Sequence, residues 1–244
     1  MPDGLKTAIF ALAAFAVAGA VGVPLKGDVA EGKPLGKNAL AAARGGGTLW
    51  GILGGYRSII SDFAWIKGYL DWEKKDVAGC VSAIEFATDV DPYMTTFWTQ
   101  GASMIAFDTP HWLLEKLPPE RRNETALEIY KKRQANVAFK LLDKGLAMFP
   151  DSSELLLQKG QIALGISDFK LAERCYAPLA EADDPPVYVR RIYASILAKN
   201  GNPQKAVGVL ESVLSETEAD SPIKKLLEDQ IASLRRAARA LQSR

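Results

Sequence analysis

Between residues 61 and 220 the chain repeats a small–large–small triplet at helical spacing, each time close to a proline or a turn. Cys80, Ile84 and Ala87 precede Pro92, and Ala138, Leu142 and Gly145 precede Pro150. The stretch ISDFKLAERCYAPLA carries Ala172, Tyr176 and Leu179, and GNPQKAVGVLESVL carries Ala206, Leu210 and Val213. Residues spaced this way share one helix face, and a small residue beside a large one lets two helices approach closely. A further small residue lies upstream in each unit: Gly68, Ala102, Gly160 and Ala194. These are the expected close-contact points on the first helix of each pair.

The pattern predicts an all-α body of four helix pairs over 51–220, with units at 61–94, 95–152, 153–186 and 187–220. The unit starts Ser61, Thr95, Ser153 and Val187 are separated by 34, 58 and 34 residues. The long step is read as an insertion at about 108–124, within FDTPHWLLEKLPPERRNE, where Pro110, Pro118 and Pro119 are expected to break helix. Residues 221–244 read as a last, capping helix. Ile223, Leu226, Leu227, Ile231, Leu234 and Leu241 form its apolar stripe, with Lys and Arg opposite. No convincing alternating strand pattern interrupts this reading.

Ahead of the body, Thr7 to Leu25 reads TAIFALAAFAVAGAVGVPL without a charge, about the length that crosses a bilayer as a helix. An uncleaved signal anchor over 1–25 is the first reading. A cleaved secretory signal, using Ala16, Ala18 or Ala20, is the second, and a buried helix is the third. The body is expected outside the cytoplasm. Lys26, Lys33, Lys37 and Arg44, which follow the segment, argue for the opposite orientation. Residues 26–50, rich in Gly, Ala, Lys and Pro, read as a linker.

Composition narrows the chemistry. A formal net charge of +1 gives no global attraction to nucleic acid. The basic residues Lys224, Lys225, Arg235, Arg236 and Arg239 are interrupted by Glu228 and Asp229 and read as a solvated cap surface. A single histidine, His111, and two cysteines, Cys80 and Cys175, leave too few ligands for a zinc site and give no CxxC. The cysteines fall among packing positions and are expected to be buried thiols. GGGTLWG at 45–51 lacks the lysine of a phosphate loop. The acidic pairs Asp89/Asp91 and Asp183/Asp184 precede prolines and read as turn formers, with hydrolase chemistry a remote alternative. No catalytic residue, metal, cofactor or small-molecule substrate is assigned.

A 34-residue period of helix pairs resembles the tetratricopeptide repeat. More narrowly, Gly55-Tyr56-Arg57, Asp62, Trp65 and Tyr69, then Val90-Asp91-Pro92, then Leu141 to Leu146 and Phe149-Pro150, resemble a group of bacterial membrane-anchored repeat proteins. Unit one departs from the repeat at Ala64 and Cys80. The resemblance implies a right-handed α-solenoid that binds proteins or peptides. It also implies which positions line the concave groove: Asp62, Trp65, Tyr69, Trp72 and Glu73 in unit one, Thr99 and Ser103 in unit two, Gln161 in unit three, and Arg191 and Ser195 in unit four. Trp65, Tyr69 and Trp72 share a stripe by spacing alone. Either the chain itself covers that stripe or a partner does. Arg57 is expected to pair with Asp62 or Asp91 and fix the entry of the first helix.

The expected function is a membrane-anchored adaptor that binds a protein or peptide in an envelope assembly. The alternative is a permanent structural subunit that uses the aromatic stripe as an obligate interface.

Overall fold

The computed structural model describes residues 56–218 and 220–242. These residues are helical throughout apart from turns, with no strand among them. The expected anchor and linker at 1–50 lie outside the described residues. Among the described residues, no helix is long and apolar enough to cross a membrane.

The chain divides into two compact units at Trp98/Thr99. In the first, α1 (Arg57–Glu73) and α2 (Val77–Val90) form an antiparallel pair, and α3 (Thr95–Ser103) begins. Their contact is set by small residues. A Cβ added at Gly68 would lie 3.3 Å from the Ala83 Cβ and 4.0 Å from the Cys80 carbonyl. Cys80, Ile84 and Ala87 are fully buried. The Arg57 guanidinium donates from Nε to the Val90 carbonyl at 3.0 Å. The expected carboxylate partner is thus replaced by the end of α2, where the last carbonyls lack intrahelical donors and favour a cation.

In the second unit, helices pack in sequence order. They are α4 (Thr109–Glu115), α5 (Glu124–Met148), α6 (Ser153–Gly165), α7 (Phe169–Ala180), α8 (Val187–Lys199), α9 (Pro203–Glu216) and α10 (Lys224–Gln242). The predicted triplets lie inside it: Ala138, Leu142, Ala172, Tyr176, Ala206 and Val213 have no exposed surface, while Leu210 and Leu179 are buried. At Gly160 a Cβ would sit 2.6 Å from the Tyr176 ring and 3.2 Å from the Cys175 Cβ. Ala194 is fully buried as well. On α10, Leu227, Ile231 and Ala238 face inward. Leu226, placed in the apolar stripe from spacing, is 43% exposed, because it lies beside Leu227 and cannot share its side of the helix.

Three of the turns that join paired helices have the same construction. Lys75, Ser167 and Gly201 take the left-handed conformation, at φ 54°, 60° and 85°. In each turn the next residue donates back to the carbonyl five positions earlier. The bonds are Asp76 to Asp71, Asp168 to Ala163 and Asn202 to Leu197, each 2.9 Å. A second bond joins Lys75 to Trp72, Ser167 to Leu164 and Gly201 to Ala198. This is the Schellman ending. Asp76 and Asp168 then cap the following helix, accepting from Gly79 N at 3.2 Å and Leu171 N at 3.0 Å. One residue therefore closes one helix and opens the next.

The second predicted unit differs. Pro110 does not end a helix there. The helical run continues from α3 through a π-turn at Met104–Asp108 into α4, with Pro110 in its first turn. Proline cannot donate to the carbonyl four residues back. A widened turn absorbs that missing bond, and the Thr109 hydroxyl donates to the Ile105 carbonyl at 2.6 Å. The chain does leave helix between Lys116 and Asn123, apart from a 3₁₀ turn at Pro119–Arg121. Arg122 donates to the Leu117 and Glu115 carbonyls at 2.9 Å and closes α4. The expected insertion is thus largely helical.

Candidate functional site

The surface expected to bind a partner divides between the two units, and each part is described by itself. In the first unit, α1 begins without a side-chain cap and ends in the Schellman turn. Its inward side is Ser61, Ala64, Gly68 and Asp71. Small side chains there let α2 approach closely, so the large side chains of α1 are turned elsewhere.

Trp65 is half-buried. Its ring stacks on Phe97 at 4.9 Å, beside Ala64 and Ala87. It therefore anchors α1 to the start of α3. Tyr69 is 52% exposed and stacks on the half-buried Trp72 at 5.5 Å, with planes 19° apart. Asp62 and Glu73 are exposed. The five residues named from the repeat pattern thus separate into an anchored tryptophan, an open Tyr69–Trp72 stack, and two exposed carboxylates. An offset aromatic pair near charge suits the contact chemistry of binding surfaces.

In the second unit, Thr99 and Ser103 are half-buried on α3, and Gln161 is exposed on α6. Arg191 and Ser195 come together on α8. They line a groove of about 370 Å³ with Lys199, Gln230 and Ser233. Arg191 Nε donates to Gln230 Oε1 at 3.3 Å, so α10 forms one wall. Neighbouring polar contacts hold α8 in place. Arg190 donates to the two Glu216 carboxylate oxygens from its terminal nitrogens Nη1 and Nη2, and Asn200 donates to the Phe169 carbonyl at 2.9 Å. The Arg190 hydrogen bond, helped by Ser212, holds the Glu216 carboxyl down to about 2.

No protein-family model matches the chain, and no curated protein matches it. The chemistry must therefore be read from the residues. Cys80 and Cys175 are buried, and burial pushes the Cys175 thiol up, away from thiolate reactivity. Burial also pushes the Tyr176 phenol up to about 12. His111 is exposed on α4. Among the described residues, no three His, Cys, Asp or Glu side chains cluster to hold a metal.

One feature of α1 escapes the repeat pattern. Ile59, Phe63, Ile66 and Leu70 are all about half exposed or more, Phe63 at 68%. The signal was available: once Ser61, Ala64 and Gly68 are taken as the inward side, these four must point outward.

Proposed function

We propose that this chain is a non-enzymatic scaffold that binds a protein or peptide partner in an envelope assembly. On this reading it is a right-handed α-solenoid of four tetratricopeptide-like hairpins with a C-terminal capping helix. Its N-terminal apolar segment holds it at a membrane, with the body outside the cytoplasm. The observation that carries the proposal is the recurrence of one turn, Lys75–Asp76, Ser167–Asp168 and Gly201–Asn202, in step with the buried triplets. Repeated hairpins of this kind gain stability from their neighbours and leave one side of their first helices for ligands.

The Tyr69–Trp72 stack with Asp62 and Glu73 is the main docking surface in this proposal. The Arg191–Ser195 groove is a second contact, suited to the polar backbone of an extended peptide. Permanent membership of one complex is the second reading, favoured by the large apolar side chains left outside on α1.

Affinity purification from native membranes tests the binding reading. The wild type and a Tyr69→Ala/Trp72→Ala variant, shown to be folded by circular dichroism, are compared. A specific partner lost in the variant supports the scaffold, and no specific partner with either protein overturns it. Exchange of the captured partner for labelled partner separates the two readings: an adaptor exchanges and a permanent subunit does not.

A further inference from the structure

Two adjacent arginines of α8 have different surroundings. Arg190 is held by the Glu216 carboxylate, whereas Arg191 donates to the neutral side-chain amide of Gln230 on α10. Ser195 and Lys199 follow Arg191 at four-residue intervals, so the three side chains run along one side of α8. Gln230 and Ser233 stand across the groove, and Leu210 and Leu234 form its apolar part. Among the described residues, no carboxylate lines this groove. The acids of the packed helices lie elsewhere. Glu216 and Glu211 are bound by Arg190 and Arg235, and Glu228 and Asp229 are exposed on α10 outside the lining.

The groove is therefore a surface of donors. The Gln230 side-chain oxygen accepts from Arg191, which leaves the amide nitrogen to donate. The guanidinium and the ammonium only donate, and the two serine hydroxyls are able to. Positive charge and donors beside two leucines suit an anion with an apolar portion. Helix geometry sets the spacing of its charges. From Arg191 to Lys199 the axis of α8 advances about 12 Å. In an extended chain, residues four apart lie on the same side about 13 Å from each other, and the residue midway between them faces the same way. Ser195 is likewise midway between the two cations. A volume of about 370 Å³ suits such a short segment.

We infer that the α8/α10 groove binds an extended acidic peptide segment, with two carboxylates four residues apart on Arg191 and Lys199 and an apolar side chain between them. The assignment rests on the reading of this groove as a peptide contact and adds the chemistry of the peptide. It does not involve the Tyr69–Trp72 stack.

Fluorescence anisotropy with the full-length protein tests it. The probe is the C-terminally amidated peptide GESLSEG, carrying an uncharged dye at its N-terminus. It is compared with GQSLSQG, in which both glutamates are glutamines. The expected result is about tenfold tighter binding of the acidic peptide, in keeping with two part-exposed ion pairs. This preference shrinks as salt is raised. Arg191→Gln/Lys199→Gln, shown to be folded by circular dichroism, removes it. Lys199→Gln alone, which leaves the Arg191–Gln230 bond in place, lowers it about threefold. Tyr69→Ala/Trp72→Ala leaves it intact. Equal binding of the two peptides would overturn the acidic assignment while keeping the groove as a peptide contact. Binding of neither would overturn both. A preference that survives Arg191→Gln/Lys199→Gln would put the acid contact elsewhere and would equally overturn the assignment.

Discussion

The hairpins α1/α2 and α6/α7 close with the same turn and cross at a glycine in the same repeat position, yet they distribute their apolar side chains in opposite ways. On α6, Leu155 and Ile162 point inward with Gly160 and Ala163, and none of its large apolar residues is strongly exposed. On α1 the inward positions are Ser61, Ala64, Gly68 and Asp71, while Ile59, Phe63, Ile66, Tyr69 and Leu70 are outside. The difference shows that one backbone template can bury or expose its large apolar side chains. The later hairpin turns Leu155 and Ile162 inward, and the first leaves its large apolar residues on the outside. Its own contact with α2 rests on close approach and on the Arg57 bond to Val90 rather than on a thick apolar layer.

Substitutions at matched places sharpen this contrast, each read by urea denaturation of the full-length chain. The largest effect is expected at Leu155, which is fully buried: Leu155→Ala costs about 2–5 kcal/mol through lost transfer energy and a cavity. Truncation of Tyr69 on the other hairpin costs about 0.5 kcal/mol, because half its surface is already in water. Equal losses at the two sites would break the comparison.

The two glycines come next. Gly160→Ala drives a methyl into the Tyr176 ring at 2.6 Å and costs about 1–3 kcal/mol. Gly68→Ala is crowded by the Ala83 methyl at 3.3 Å and otherwise makes ordinary contacts at 4.0 Å, and the better helix propensity of Ala offsets the crowding to within about 1 kcal/mol.

The turns give a smaller effect of predictable sign. Ser167→Gly relieves a left-handed serine and stabilises by about 0.5–1 kcal/mol, whereas Gly201→Ala destabilises by about 1 kcal/mol.

Two titrations complete the series, and both lie in the second unit. The Tyr176 phenol is held at about 12, above its ordinary 10. The stability tied to its neutral form is complete below pH 10 and is lost as pH rises from 10 to about 12. Tyr176→Phe removes this alkaline loss. Glu216 is held at about 2, below 4.5. Its contribution is present above about pH 4.5 and fades as pH falls toward 2, so Glu216→Gln flattens that part of the acid limb. Loss curves unchanged by these substitutions would show that other groups govern both limbs.

The hairpin register was legible because small–large–small spacing directly encodes helix contact: Gly68, Gly160 and the four triplets all fall inside. Helix starts at Thr95, Ser153 and Val187 followed from prolines and turn residues. The start of α1 at Arg57 lies ahead of the expected Ser61, because the guanidinium finds an acceptor on α2 that spacing does not reveal. Pro110 misled for a local reason. A proline ends a helix only if nothing absorbs its missing donor, and the π-turn does so. Lys75 and Ser167 hold a conformation that favours glycine, so composition gave no hint of those turns. Among the residues named as candidates, the adjacency of Tyr69 and Trp72 on one helix was visible from their spacing. The anchoring role of Trp65 was not, because Phe97 is distant in sequence.

The most direct test of the account is affinity capture from native membranes with two matched variants, Tyr69→Ala/Trp72→Ala on the first hairpin and Gln161→Ala/Arg191→Ala/Ser195→Ala in the second unit. The account predicts a specific partner that is lost with the first variant and weakened but retained with the second. A partner held undiminished by the Tyr69→Ala/Trp72→Ala protein would contradict the claim that the first hairpin is the presenting surface.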